Sequence, residues 1–356
     1  MNHVSFLHLY IYKKLAIIEL QFHLFPVSTS TTPLMAAASS SSSNGLFMVV
    51  AVLALLASAV HGQLSPAFYA RSCPNLPAIV QSVMAQVVAQ DPRMGASILR
   101  LFFHDCFVNG CDASVLLDDT PTMRGEKNAA GNANSLRGYE VIDAIKSRVE
   151  ASCRSTVSCA DILALASRDA VTLLGGPSWT VPLGRRDSRT ASVAAANANL
   201  PPASDSLNTL AARFAAKGLS LRDLTALSGA HTVGAARCAS FRPHIYRDTN
   251  VDPAYAMFRR RVCPASGGDS VLAALDATSP NRFDVSYFRD LMARRGLLHS
   301  DQELFNGGAA DALVRLYATN GGAFDMDFAA AMVKMGNISP LTGAAGEIRS
   351  NCRRAN

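Results

Sequence analysis

Arg100, Phe103 and His104 stand at positions i, i+3 and i+4 in the run Arg100-Leu101-Phe102-Phe103-His104-Asp105-Cys106. That spacing gathers three side chains on one helical face, about a turn apart. The face presents a fixed cation, an aromatic wall and a titratable base. Such a set suits heterolysis of a polar bond: imidazole accepts and returns a proton near neutral pH, while guanidinium stabilises developing negative charge. Arginine keeps its proton, so the base of the set is His104. Taken alone the trio has a plain alternative, a packed or exposed helical histidine beside an arginine.

Directly downstream, Asp105, Asp112 and Ser114 surround a short loop bracketed by Cys106 and Cys111 and containing Gly110. Oxygen ligands in a tight loop suit a hard cation such as calcium, although the spacing is not that of an EF-hand. The plain alternative is an acidic turn. A second histidine, His231, lies in Leu227-Ser228-Gly229-Ala230-His231-Thr232-Val233-Gly234 among residues of minimal bulk. Small neighbours would admit a flat macrocycle close to the backbone, and neutral imidazole is a common iron ligand. A core histidine is the alternative there.

These residues need helices to hold them. From Leu76 onward apolar residues recur at helical spacing, as in Ile79, Val83, Val87 and Val88, then Ile98, Leu101 and Phe102, and later Leu210, Phe214, Leu219 and Leu224. Ser220-Leu221-Arg222-Asp223 reads as a capping box opening a helix that runs through Leu224, Leu227 and His231. Alternating runs long enough for strands are scarce, so the class expected is all-α, mainly helical with very little strand. A loop-rich stretch from Gly175 to Asp205 separates two helical halves.

The composition narrows the setting. With 356 residues, 49% apolar and 17% charged, the chain has ample material for a core and is unlike a disordered or collagen-like sequence. Its net charge of +6 comes from dispersed cations, among them only six lysines, so no basic stripe points to nucleic acid. The run Arg259-Arg260-Arg261 reads as a solvated helix face. Leu46 to Val60 is an apolar run of fifteen residues, short of the roughly 20 that span a bilayer. It reads as the core of a signal peptide over 35–62, with small residues at Val60 and Gly62 placing cleavage before Gln63. Residues 1–34 form an extraneous or extended leader, with translation starting at Met35 or Met1 and the same mature chain either way. Eight cysteines behind such an address suggest a disulfide framework whose pairing the count leaves open. No CxxC pair favours zinc instead.

Arg100 to Ser114, Gly131-Asn132-Ala133-Asn134-Ser135, Leu227 to Gly234 and Ser300-Asp301-Gln302-Glu303-Leu304-Phe305 together resemble the secreted plant (class III) haem peroxidases, in order and over the whole span from Gln63 to the C-terminus. The resemblance implies two helical domains sandwiching a haem, a distal half over 63–190 and a proximal half over 191–356. It implies one haem b with His231 as axial ligand and Asp301 as that histidine's acceptor. Arg100, Phe103, His104 and Asn132 are the implied catalytic residues, Asn132 orienting His104, and Pro201 is a substrate residue at the haem edge. Two calcium ions are implied as well. One takes Asp105, Val108, Gly110, Asp112 and Ser114; the other takes Thr232, Asp276, Ser279, Arg282 (through its carbonyl) and Asp284. The implied disulfides are Cys73–Cys153, Cys106–Cys111, Cys159–Cys352 and Cys238–Cys263.

The function so implied is reduction of hydrogen peroxide with one-electron oxidation of small phenolic donors, by a monomer secreted to the extracellular space or cell wall, where mild basicity suits acidic polysaccharide. Two other classes compete. An inactive, calcium-stabilised wall-binding protein on the same scaffold would be expected to have lost part of the set, yet Arg100, Phe103, His104, Asn132, His231 and Asp301 are all present. A Ser/His/Asp hydrolase built on Ser228 and His231 lacks a GxSxG elbow.

Overall fold

The computed structural model describes residues 64–356; the leader and signal segment expected over 1–34 and 35–62 lie outside the described residues. Among the described residues there are thirteen α-helices and one two-stranded sheet. The helices are α1 Leu76–Gln90, α2 Arg93–Val108, α3 Tyr139–Ser152, α4 Cys159–Leu173, α5 Val193–Asn199, α6 Leu207–Ala216, α7 Leu221–Ser228, α8 Cys238–Arg247, α9 Pro253–Arg260, α10 Ser286–Met292, α11 His299–Gln302, α12 Asp311–Thr319 and α13 Gly321–Met335. The all-α class expected from the periodicity and the resemblance is what the chain adopts. The strands β1 Ala235–Arg237 and β2 Leu272–Ala274 pair antiparallel, with Ala235 opposite Ala274. None of the described helices is long and apolar enough to cross a membrane.

Helix α2 shows why the periodicity matters for the site. Ile98, Leu101, Phe102 and Asp105 are buried and face the core, where α2 packs on α4, while Arg100 and Phe103 emerge half-buried beside them. One helix therefore anchors itself with one stripe and presents chemistry with the next. The main apolar core draws on both expected halves, from Tyr69 and Ile98 through Phe214, Phe288 and Phe324 to Cys352. A smaller cluster gathers Phe241, Ile245, Tyr255 and Leu297 around the Cys238–Cys263 bridge.

Two buried ionic nodes fasten distant segments of the chain to this core. Arg185 is 2.9 Å from Asp161 and also donates to the Gly336 carbonyl just after α13, and Asp161 accepts from Tyr69 as well. Asp187 accepts from the backbone of Cys159 and Ala160 at the start of α4 and from that of Arg349 near the C-terminus. Removing one partner from such a node leaves an unpaired buried charge, a cost of about 3–5 kcal/mol. Disulfides join Cys73 to Cys153, Cys106 to Cys111, Cys159 to Cys352 and Cys238 to Cys263, the longest closing a separation of 193 residues. Long closures constrain the unfolded chain most.

Two readings of the sequence need amending. The capping box at Ser220 and Asp223 forms, but α7 ends at Ser228 and His231 sits in the 3₁₀ turn Gly229–Thr232 that follows. Arg259 does not lie on a solvated face: it is buried, donates to the Ala274 carbonyl and stacks over Tyr255. Its guanidinium is needed where β2 leaves a carbonyl beside an aromatic ring, a demand the local run of arginines does not reveal.

Candidate active site

His104 projects from α2 and is buried, its Nδ1 lying 2.5 Å from Asn132 Oδ1. Asn132 is itself held by donating its amide to the Glu126 carbonyl at 2.9 Å. An amide oxygen accepts, so Nδ1 carries the ring proton and Nε2 keeps its lone pair. Burial, and then the Arg100 charge, push the His104 pKa well below the ordinary imidazole range, against the opposing hydrogen bond that it donates to Asn132. His104 is consequently a neutral acceptor at neutral pH. One turn earlier, Arg100 donates to the Gly131 carbonyl at 2.8 Å and to Ser135 Oγ at 3.1 Å. Burial lowers its pKa to about 10, which leaves the guanidinium charged at neutral pH. Phe103 packs edge-on to His104 and against Phe107, closing one side. A Cβ built on Gly131 would lie 3.7 Å from Leu200 and 4.0 Å from the His104 ring, so the segment leading into half-buried Pro201 borders the same space.

The second histidine has a different partner. His231 Nδ1 is 2.7 Å from the buried carboxylate oxygen Asp301 Oδ1. Asp301 also accepts from Tyr287 Oη at 3.1 Å and from the Leu298 backbone N–H at 3.0 Å. Burial, and then the Asp301 charge, raise the Tyr287 pKa, so the phenol stays protonated and donates. The carboxylate thereby fixes His231 as the Nδ1–H tautomer and leaves Nε2, on a side chain 37% exposed, able to bind a metal. The two histidine segments meet: a Cβ built on Gly234, three residues after His231, would stand 3.1 Å from Ala96, one turn before Arg100. The small residue at 229 answers to a different neighbour than a cofactor, because a Cβ there would come within 2.4 Å of the Phe324 ring.

An acidic cluster lies beside each histidine. Next to His104, Asp105 accepts from the backbone of Ala113 and Asp112 from that of Ser114. Ser114 Oγ and both Glu126 carboxylate oxygens are buried without a hydrogen-bond partner. Burial, and then the Asp112 charge, push Asp105 well above the usual carboxylate range; burial likewise raises Asp112, and Glu126 to about 7. Three crowded carboxylates and an orphaned hydroxyl form a donor set that a divalent hard cation satisfies. The Cys106–Cys111 bridge shapes the loop, and Gly110 adopts φ +120° where any Cβ would strike the Ser339 carbonyl. Val108 offers its carbonyl too, already accepting from Lys217 Nζ at 3.0 Å. Next to His231, Thr232 Oγ1 donates to Asp276 at 3.1 Å and lies near Asp284 and the Arg282 carbonyl, while Ser279 Oγ donates to Asp284 at 3.0 Å. These donors are again all oxygen, so both clusters fit calcium.

The sequence profile of the family described as Peroxidase matches residues 80–320. The chain belongs to the peroxidase family. Among its relatives, Peroxidase 70 of Zea mays is 59% identical over 311 residues, covering 86% of this chain and 97% of its own. Peroxidase P7 of Brassica rapa subsp. rapa is 59% identical over 296 residues, covering 83% of this chain and all of its own. Peroxidase 4 of Vitis vinifera is 55% identical over 311 residues, covering 87% and 97%. The chain is accordingly an oxidoreductase, a peroxidase of the haem-binding type.

In this peroxidase the structure gathers Arg100, Phe103, His104 and Asn132 into one constellation and His231, Thr232 and Asp301 into another. The donor chemistry at His231 fits haem iron, since a carboxylate-backed imidazole with a bare Nε2 is the form that ligates. A cavity of about 670 Å³ lined by Met123, Arg189, Ala191 and Arg354 contains none of these residues and lies apart from the chemistry. Three participants escape the sequence reading. Glu126 completes the distal acidic cluster, Tyr287 braces Asp301, and Ser286 Oγ lies within hydrogen-bond distance of both Asp276 and Asp284. Glu126 and Tyr287 stand in runs without distinctive spacing. Ser286, two residues after Asp284, carried a faint signal as a hydroxyl beside an expected ligand.

Proposed function

We propose that this peroxidase uses one haem b, held by His231 Nε2, and two calcium ions to reduce hydrogen peroxide at the expense of small phenolic donors outside the cell. The observation that carries the reading is the unlike pairing of the two histidines, His104 with a neutral amide and His231 with a carboxylate. When bound, the haem supplies the redox-active iron at which the peroxide O–O bond is broken.

The chain's own residues supply the rest. His104 Nε2, left unprotonated, takes the proton of the inner peroxide oxygen and delivers it to the outer one, which departs as water. Asn132 keeps the tautomer right by holding Nδ1–H, and the Arg100 guanidinium stabilises the charge on the departing oxygen. Asp301 makes His231 a strongly donating ligand, which favours that cleavage. Phe103 limits how closely donors approach, and phenols give up one electron each at the edge bordered by Pro201. Asp105, Val108, Gly110, Asp112 and Ser114 hold the calcium beside His104; Thr232, Asp276, Ser279, Arg282 and Asp284 hold the one beside His231. The apolar run at Leu46–Val60 and the four disulfides support delivery to an oxidising extracellular space or the cell wall, with cleavage before Gln63.

Reconstituted protein should show a Soret band and oxidise guaiacol only when peroxide is present. A Soret band without peroxide-dependent turnover would leave the scaffold and remove the enzyme.

A further inference from the structure

Three side chains that the peroxidase site does not use converge where α8 packs on α11. His244 Nδ1 lies 2.6 Å and His299 Nδ1 2.7 Å from one and the same oxygen, Asp248 Oδ2. All three atoms fall within 4.8 Å of one another. His244 is buried, whereas Asp248 and His299 reach partly into solvent.

The far side of His244 decides what the near side needs. Its Nε2 is 3.2 Å from the Gly296 carbonyl oxygen. A carbonyl only accepts, so Nε2 carries the proton, and a neutral ring then turns a bare Nδ1 lone pair toward Asp248. His244 Nδ1 and Asp248 Oδ2 thus face each other at 2.6 Å, as two ligands of one cation would.

We propose that His244, Asp248 and His299 form a binding site for a divalent transition metal of the zinc type. Two imidazole nitrogens and one carboxylate oxygen suit a borderline ion and disfavour calcium or magnesium. The Gly296 carbonyl behind His244 is the outer partner that ligating histidines use to fix their tautomer. The solvent-facing side of His299 and Asp248 leaves room for a water as fourth ligand. Zinc between them would spread the ligand atoms to about 3.3 Å, given metal bonds of about 2.0–2.1 Å in a tetrahedron. The partly exposed Asp248 and His299 side chains can supply that shift.

The test uses tag-free, calcium-loaded holoenzyme stripped of transition metals and titrated with zinc chloride by calorimetry, with equilibrium dialysis to count the metal. One saturable equivalent is expected, and X-ray absorption at the zinc edge should show scattering from two imidazoles. His299→Ala and His244→Gln should each weaken binding at least tenfold while keeping the wild-type Soret band and melting transition. Should His244→Gln fail to fold, the partly exposed His299→Ala carries the comparison alone. Absence of saturable binding to wild type overturns the proposal. So does one equivalent of zinc that binds His299→Ala as tightly as wild type.

Discussion

The two sides of the active site hold the same ring by the same nitrogen and differ in what stands behind it. Behind His104 is an amide oxygen, neutral and itself pinned to the Glu126 carbonyl; behind His231 is a buried carboxylate braced by a tyrosine and a backbone amide. A neutral acceptor orients an imidazole without making it hold a proton, which suits a base that must give the proton back. A carboxylate pushes electron density into the ring, which suits a permanent ligand. The acidic clusters differ in the same sense. Near His104 the Glu126 carboxylate and Ser114 Oγ have no partner, whereas near His231 the hydroxyls of Thr232 and Ser286 already bridge Asp276 and Asp284.

Deleting one side outright should have the largest effect. His104→Leu removes the proton carrier and should slow the reaction with hydrogen peroxide by about 100- to 10,000-fold in stopped-flow experiments. A rate within a few-fold of wild type would remove His104 from the chemistry. Making the His231 side resemble the His104 side comes next. Asp301→Asn should make the iron's reduction potential more positive and cost about 10- to 100-fold in peroxide reactivity or haem retention. An unchanged potential in a variant that keeps its haem would show that the carboxylate only orients the ring.

The reciprocal exchange has a pH signature. In the wild type the acid limb of the rate profile should lie below the ordinary histidine pKa, because burial and Arg100 disfavour the imidazolium. Asn132→Asp places a negative charge at Nδ1, favours the protonated ring and raises its pKa, so the limb should move to higher pH and several-fold of the rate at mildly acidic pH should be lost. A limb that stays put would mean the amide's neutrality is not what sets the base. The smallest effect concerns the ions. Calcium returned to chelator-stripped protein should raise the melting temperature, by about 2.7 kcal/mol of stability at a hundredfold excess over Kd. Glu126→Gln should reduce that gain more than Ser286→Ala, since only the cluster near His104 holds unpartnered buried oxygens. Equal losses would erase the contrast between the two clusters.

Much of this was legible before any coordinates. The trio on α2 follows from a spacing of three and four residues, which helical geometry converts directly into a shared face. The cap at Ser220 was equally local, because its two hydrogen bonds span only three residues. Local signals failed where a residue answers to a distant neighbour. Gly229 is small because the Phe324 ring fills the space above it, and Arg259 is buried because β2 and Tyr255 receive it. The 3₁₀ turn carrying His231 interrupts a pattern that, read along the chain, continues as α-helix.

The amino-acid sequence by itself determined the helical class, the faces of the helices and the residue types available for proton transfer, metal binding and cross-linking, since periods of a few residues encode them. Only the tertiary structure decided which groups meet. His104 finds Asn132 across 28 residues, His231 finds Asp301 across 70, and His299 reaches Asp248 across 51. Those meetings depend on the burial of a shared apolar core, which is blind to sequence distance and brings a carboxylate to one imidazole and an amide to the other.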